Sequence, residues 1–167
     1  WVAMPMAIIG ALNAYRKSQF DEVGATKFPD TWDAYREVGK KLKAKGTPFG
    51  QAFGQSFGDP PTFAYPLMWS FGGMEVDDKG KVVINSKETV DAVKFMTAMW
   101  KDSFDEGGLA WDDASNNRAF LAGTISCTLN GASIYLLANR EAGKYKTDKG
   151  GELSRDASIA LCTAIEK

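Results

Sequence analysis

The stretch Trp111-Asp112-Asp113-Ala114-Ser115-Asn116-Asn117-Arg118-Ala119-Phe120-Leu121-Ala122-Gly123-Thr124-Ile125-Ser126-Cys127-Thr128-Leu129-Asn130-Gly131-Ala132-Ser133-Ile134-Tyr135 decides how this chain is read. It predicts a polar loop, a short helix closed at Gly123, a strand and a second polar turn. Glycine suits the left-handed position just past a helix end. From Thr124 the residues alternate, with Ile125, Cys127 and Leu129 on one face and Thr124, Ser126 and Thr128 on the other. Amides, hydroxyls and carboxylates thus gather at both ends of one small unit. That chemistry suits holding a polyhydroxylated small molecule better than it suits catalysis.

Upstream, a helix is expected to begin near Asp30 or Thr31, either of which can cap free backbone N–H groups. Its apolar stripe is Trp32, Tyr35, Val38 and Leu42, and Gly46 closes it. Residues 15–23 have helical character and would end at Gly24. Residues 47–61, with Gly50, Gly54 and Gly58 among Phe49, Phe53, Phe57, Gln51 and Gln55, predict an irregular loop. Such a loop either presents aromatic faces and amides to a ligand or packs as plain surface. No Gly-Lys-Ser/Thr follows, so it is not a phosphate-cradling loop. Residues 62–71 read as a buried helix stopped by Gly72-Gly73, and Glu75 to Ile84 as a hairpin turning at Asp77-Asp78-Lys79-Gly80. Asn85 or Ser86 then caps a helix, Glu88 completing a capping box with Asn85, and Val90, Val93, Met96 and Trp100 form its expected stripe. Residues 2–6 read as extended, 136–144 as helix, 144–155 as a polar connector and 158–165 as a short apolar run.

Composition narrows the chemistry. The 167 residues are 44% hydrophobic and 12% aromatic, enough for a folded core of one domain or one lobe of a larger protein. A net charge of -1 provides no footprint for nucleic acid or an anionic membrane. The basic residues from Arg36 to Lys45 fall at helical spacing and read as a solvated face, or as a protein-contacting one. The sequence has no histidine, which removes His-based acid–base catalysis, Ser-His-Asp and Cys-His pairs and His-containing zinc sites. Carboxylates show no calcium-loop spacing, so neither metal nor cofactor is expected. Cys127 reads as a buried thiol, and Cys162 would pair with it only if the tail folds back. Residues 1–12 are apolar but lack the basic start and cleavage site of a signal peptide, and the chain does not open on methionine. An internal piece, or a matured protein, is the expectation.

The order of landmarks resembles the extracellular solute-binding proteins of the family 1, sugar-binding type, the capture subunits of bacterial ABC importers. It is carried by Leu12 to Gly24, Phe28-Pro29-Asp30-Thr31-Trp32-Asp33, Trp69-Ser70-Phe71-Gly72-Gly73, the Asn85-Ser86 helix start, and Phe120 through Gly131. The resemblance implies an α/β, periplasmic-binding-protein-like (type II) lobe, helix-rich with a small sheet and incomplete relative to the two-lobed family fold. Residues 1–143 would be the second-lobe segment and 144–167 a connector and tail. It further implies that a sugar or polyol is held in the cleft between lobes and that hinge closure is read by membrane permease subunits. The complete protein is expected to be a periplasmic or extracellular monomer, with a lipid anchor allowed. By position, the family's ligand contacts fall on Gln51, Gln55, Asp59 and Phe63; on Trp111, Asp112, Asp113 and Asn116; and on Asn130, Gly131, Ser133 and Tyr135. Trp69 joins them, with core packing as its alternative, and Arg118 is the basic residue beside them. The competing reading is a carbohydrate-active enzyme, with Asp112 and Asp113 or Asp59 and Asp113 as its acid and base, or a lectin-like domain. Adjacent carboxylates point apart, whereas glycosidase pairs face each other across about 5–9.5 Å.

Overall fold

The computed structural model describes residues 12–130 and 133–161. Its centre is a three-stranded antiparallel sheet in which β1 (Leu12–Arg16) lies between β2 (Cys127–Asn130) and β3 (Ala157–Leu161). Tyr15 stands opposite Cys127 on one side and Ser158 on the other. Pairing on both edges holds Tyr15 and Arg16 in strand geometry, so the helix expected from residue 15 is shorter: α1 covers Lys17–Glu22. The outer edge of β2 is covered by residues 48–50, through Gly50 N–H to the Cys127 carbonyl (2.8 Å) and Ser126 N–H to that of Pro48 (2.9 Å).

Helices pack on both faces of the sheet. On one side α2 (Trp32–Ala44), α3 (Asp59–Ser70) and α4 (Lys87–Ser103) enclose an aromatic core of Phe20, Trp32, Tyr35, Phe49, Phe63 and Phe104. On the other, α5 (Ser115–Ala122), α6 (Ser133–Arg140) and α7 (Leu153–Asp156) bring Phe120, Ile134 and Leu153 against Ala14 and Ile125. Burying each of these large apolar side chains stabilises by about 1.5–3 kcal/mol.

The expected start of α2 is realised: the Thr31 hydroxyl accepts the Ala34 N–H at 3.2 Å, and Trp32, Tyr35 and Leu42 are buried. The helix-stop glycines Gly24, Gly46, Gly72 and Gly123 all have positive φ, and the small hairpin forms with one bridge, Val76 to Val82. Other expectations are corrected. Pro60 and Pro61 belong to α3 rather than to the preceding loop, because the first turn needs no N–H donors. Of the two expected caps of α4, Ser86 is the one used, accepting from the Thr89 N–H at 3.2 Å, so the capping box drawn from Asn85 to Glu88 is not the one at this helix start. The buried face of α4 is Ala92, Met99 and Ser103, while Val90 and Val93 are exposed. Met96 and Trp100 pack against the core as expected and also line an apolar groove of about 600 Å³ shared with Tyr65 of α3. On the polar face of the strand around β2, Ser126 and Thr128 are both buried. Helix α6 begins at Ser133, earlier than the expected 136.

Residues 145–161 pack onto the rest of the described chain. A second one-bridge turn joins Lys146 to Glu152, Leu153 is fully buried, and β3 continues the sheet. The extended reading of residues 2–6, Cys162 and the end of the 158–165 run lie outside the described residues. Cys127 is buried, with its sulfur 3.7 Å from the Tyr35 hydroxyl.

Candidate functional site

Three chain segments meet at one edge of the sheet: the first turn of α3, the first turn of α5 and the end of β2. Each supplies a polar side chain because it stands where regular backbone pairing stops. Asp59 of α3 receives the Asn116 side-chain amide of α5 at 2.6 Å and that of Asn130 of β2 at 3.5 Å. Asn130 also donates to the Asn117 side-chain carbonyl, and Asn117 in turn donates to the Ser133 hydroxyl at 3.4 Å. Burial pushes the Asp59 carboxyl above its ordinary pKa; the Asp113 charge adds to this and the Asn116 amide opposes it.

Below this edge the polar chain runs inward. Asn116 donates to the Thr128 hydroxyl at 3.2 Å, and Thr128 donates to the Gln51 side-chain oxygen at 3.5 Å. That oxygen also accepts the Leu129 N–H at 3.1 Å. Gln51 is buried, and its Nε2 has no hydrogen-bond partner among the described residues. The Asn116 oxygen accepts the Asn117 N–H at 3.0 Å, so the Asn116 amide is oriented by its own bonds. A half-buried carboxylate backed by oriented amides can receive hydroxyl protons and return donors to the same ligand.

The polar loop before α5 braces this edge. Asp113 accepts the N–H groups of Asp59 (2.9 Å) and Gly58 (3.3 Å), and the Asp59 N–H chiefly holds its carboxyl below the usual range. Asp112 accepts the Ser115 hydroxyl (2.6 Å) and the Ala114 N–H (3.1 Å); the first of these chiefly lowers its pKa. Arg118 turns to Asp112 at 3.1 Å and to Ser115 at 3.0 Å rather than toward Asp59.

Of the residues expected from the sequence, the structure therefore gathers Gln51, Asp59, Asn116, Asn130 and Ser133, with Asp113 and Asp112 as braces. Gln55 is exposed on the loop, and Gly131 lies outside the described residues. Phe63 is 1% exposed and packs edge-on against Trp32, Phe53 and Phe104, so its ring belongs to the core. Trp69 sits ten residues along α3 from Asp59, about 15 Å away. It is 54% exposed, which overturns the core alternative; it stacks on Tyr65 and donates to Glu75 at 3.0 Å. Trp111 and Tyr135 are partly buried against the second core cluster. Asn117 and Thr128 are in the network although the sequence did not single them out. The Asn116-Asn117 pair at a helix start was the available signal for the former. Nothing in strand alternation marks Thr128 as buried.

Among the described residues no group of three or more His, Cys, Asp or Glu is placed to hold a metal ion, and no helix is long and apolar enough to cross a membrane.

A small sheet covered on both faces by helices, with a polar edge where strand and helix ends converge, is the fold of a periplasmic-binding-protein-like lobe. The family model for bacterial extracellular solute-binding proteins matches residues 2–155, and the chain belongs to that family. Similar solved structures include maltose-bound MalE3 of T. maritima (24% identity, TM-score 0.75), which matches 95% of this chain and 41% of its own length. An ABC transporter solute-binding protein from Agrobacterium radiobacter in complex with ribitol is 22% identical with a TM-score of 0.71, covering 96% of this chain and 39% of that one. Another, from Agrobacterium vitis with bound D-mannitol, is 20% identical with a TM-score of 0.70, covering 92% and 36%. The chain thus spans about two fifths of the length of these proteins and is incomplete relative to their fold. No curated protein matches it.

Proposed function

We propose that this lobe forms one wall of a cleft that captures a carbohydrate or polyol for a bacterial ABC importer, without catalysis. The carrying observation is the Asp59–Asn116–Asn130–Asn117 array, in which acceptor and donor groups are oriented before any ligand arrives. Vicinal hydroxyls present matching donor and acceptor pairs. Family membership and the maltose, ribitol and D-mannitol held by similar structures support the same ligand class. The second wall, closure about a hinge and recognition by permease subunits belong to the complete two-lobed protein, a periplasmic or extracellular monomer with a lipid anchor allowed.

Two observations favour binding over turnover. The carboxylates of Asp112 and Asp113, the candidate acid–base pair, are occupied by backbone N–H groups and held ionised. Among the described carboxylates burial raises the pKa of Asp59, but its neighbour Asp113 faces backbone rather than a shared space. The basic helix α2 is less open to a protein partner than its sequence implies. Arg36, Lys40, Lys43 and Lys45 all have carboxylate partners within 4.0 Å.

The test is a thermal-shift screen of this chain beside a two-lobed version in which a first lobe is joined to it, against sugars, linear polyols and phosphosugars. Stabilisation confined largely to the two-lobed version, and lost in Asp59→Asn, is the expected result. Equal affinity for the single lobe refutes the interlobe cleft. Hydrolysis of any glycoside that is lost in Asp59→Asn restores the enzyme reading.

A further inference from the structure

Among the described residues, the charges that act on Asp59 and Asp113 are negative: Asp113 acts on Asp59, and Asp112 acts on Asp113. Arg118, the basic side chain of α5, is bonded away to Asp112 at 3.1 Å and to Ser115 at 3.0 Å. The amide donors of the array are spent inward as well. Asn116 gives its side-chain N–H groups to Asp59 and Thr128, and Asn130 gives its own to Asn117 and Asp59. Both bonds at Asp59 end on Oδ2, at 2.6 and 3.5 Å, and Oδ1 meets no donor among the described residues. Asp59 is half-buried rather than enclosed. This edge therefore offers a ligand a charged acceptor that lacks a counter-ion.

We propose that this site selects an amino sugar, its protonated amine seated on Asp59 Oδ1, over the neutral sugar of the same shape, and rejects sugar acids and phosphosugars. An ammonium group has three donors and no acceptor, which matches a site whose own donors are already used. Its bond to a carboxylate is charge-assisted and about twice as strong as that of a neutral hydroxyl. It also supplies the positive charge that no side chain brings to Asp59. An anionic ligand meets two carboxylates, Asp59 and Asp113, with Arg118 held elsewhere. The proposal rests on the carbohydrate reading of the site.

The experiment is an NMR titration of the nitrogen-15-labelled 167-residue chain, which detects weak binding, with D-glucose, D-glucosamine and D-glucuronate as probes. The side-chain amide signals of Asn116 and Asn130 report on the site itself. D-glucosamine should bind about fivefold more tightly than D-glucose, and D-glucuronate should leave both signals unmoved. Asp59→Asn removes the charge and keeps the shape, so it should bring the two affinities to within about twofold of each other. In the parent chain, salt at about 1 M should also shrink the preference, which needs no variant to fold. Equal binding of D-glucose and D-glucosamine by the parent overturns amine selection and leaves the carbohydrate reading standing. A preference that survives both Asp59→Asn and high salt overturns the role of the Asp59 charge. Binding of D-glucuronate as tight as that of D-glucose overturns the rejection of anions. No response to any of the three sugars overturns both readings.

Discussion

Replacing Asn116 by alanine tests whether the polar array is part of the fold as well as of the site. Asn116 is fully buried and makes three connections: its amide donates to Asp59 (2.6 Å) and Thr128 (3.2 Å), and its oxygen accepts the Asn117 N–H (3.0 Å). A hydrogen bond to a charged group contributes about 1.5–3 kcal/mol and a neutral one about 0.5–1.5, with the lower end fitting the half-exposed Asp59. Truncation should therefore cost about 2–4 kcal/mol near neutral pH, or roughly 5–15 °C in Tm for a chain of this size. The loss should also depend on pH. The folded Asp59 carboxyl is already raised by burial, so what it contributes to stability is fully present below the unfolded carboxylate pKa and is lost as pH rises through the folded value. Removing Asn116 deletes the bond that favours the ionised form and raises that pKa further. The penalty should then be largest near neutral pH and smaller at about pH 3, where Asp59 is protonated in both proteins. Urea unfolding followed by circular dichroism at the two pH values measures both quantities. A loss below about 0.5 kcal/mol near neutral pH refutes the reasoning, and a larger loss identical at both pH values refutes its electrostatic half.

Gly39→Ala should destabilise by about 1–3 kcal/mol in urea despite alanine's better helix propensity, because the new Cβ would sit 2.7 Å from that of Ser103 and 2.9 Å from the Phe49 ring. Leu153→Ala should cost about 2–4 kcal/mol and raise amide exchange in β1 and β3, since Leu153 is fully buried; an unchanged midpoint would mean the segment after Lys144 is not integral. Arg16 is buried with its guanidinium 5.2 Å from the Phe120 ring centre, 2.6 Å from that residue's carbonyl and 4.0 Å from Asp148. Arg16→Lys keeps the charge but loses the planar fork, and should cost about 1–3 kcal/mol by thermal unfolding, with Arg16→Met costing more.

The sequence by itself determined the local elements whose signals are carried by neighbouring residues. Thr31 before Trp32, Tyr35 and Leu42 specified α2, and Gly24, Gly46, Gly72 and Gly123 specified helix ends, because capping and positive φ are decided within a few bonds. The sequence also put Asp59, Asn116 and Asn130 among the candidates by resemblance. Tertiary structure decided which candidates meet. Residues 59, 116 and 130 are joined only when α3, α5 and β2 converge, and no periodicity encodes that convergence. Partners absent from the local chain also decided that Tyr15 and Arg16 are strand, through pairing to β2 and β3. The same holds for Phe63, whose burial depends on Trp32, Phe53 and Phe104 from three other segments. On α4, Met96 and Trp100 of the expected stripe pack against the core while Val90 and Val93 are exposed; which apolar residues are buried depends on where α2 and α3 stand, and hydrophobicity alone does not encode that. Alternation puts Thr128 on the polar face of its strand, and its burial depends on Gln51 and Asn116 from other segments. Short-range geometry is written in the chain, whereas burial and the meeting of distant polar groups are properties of the packed whole.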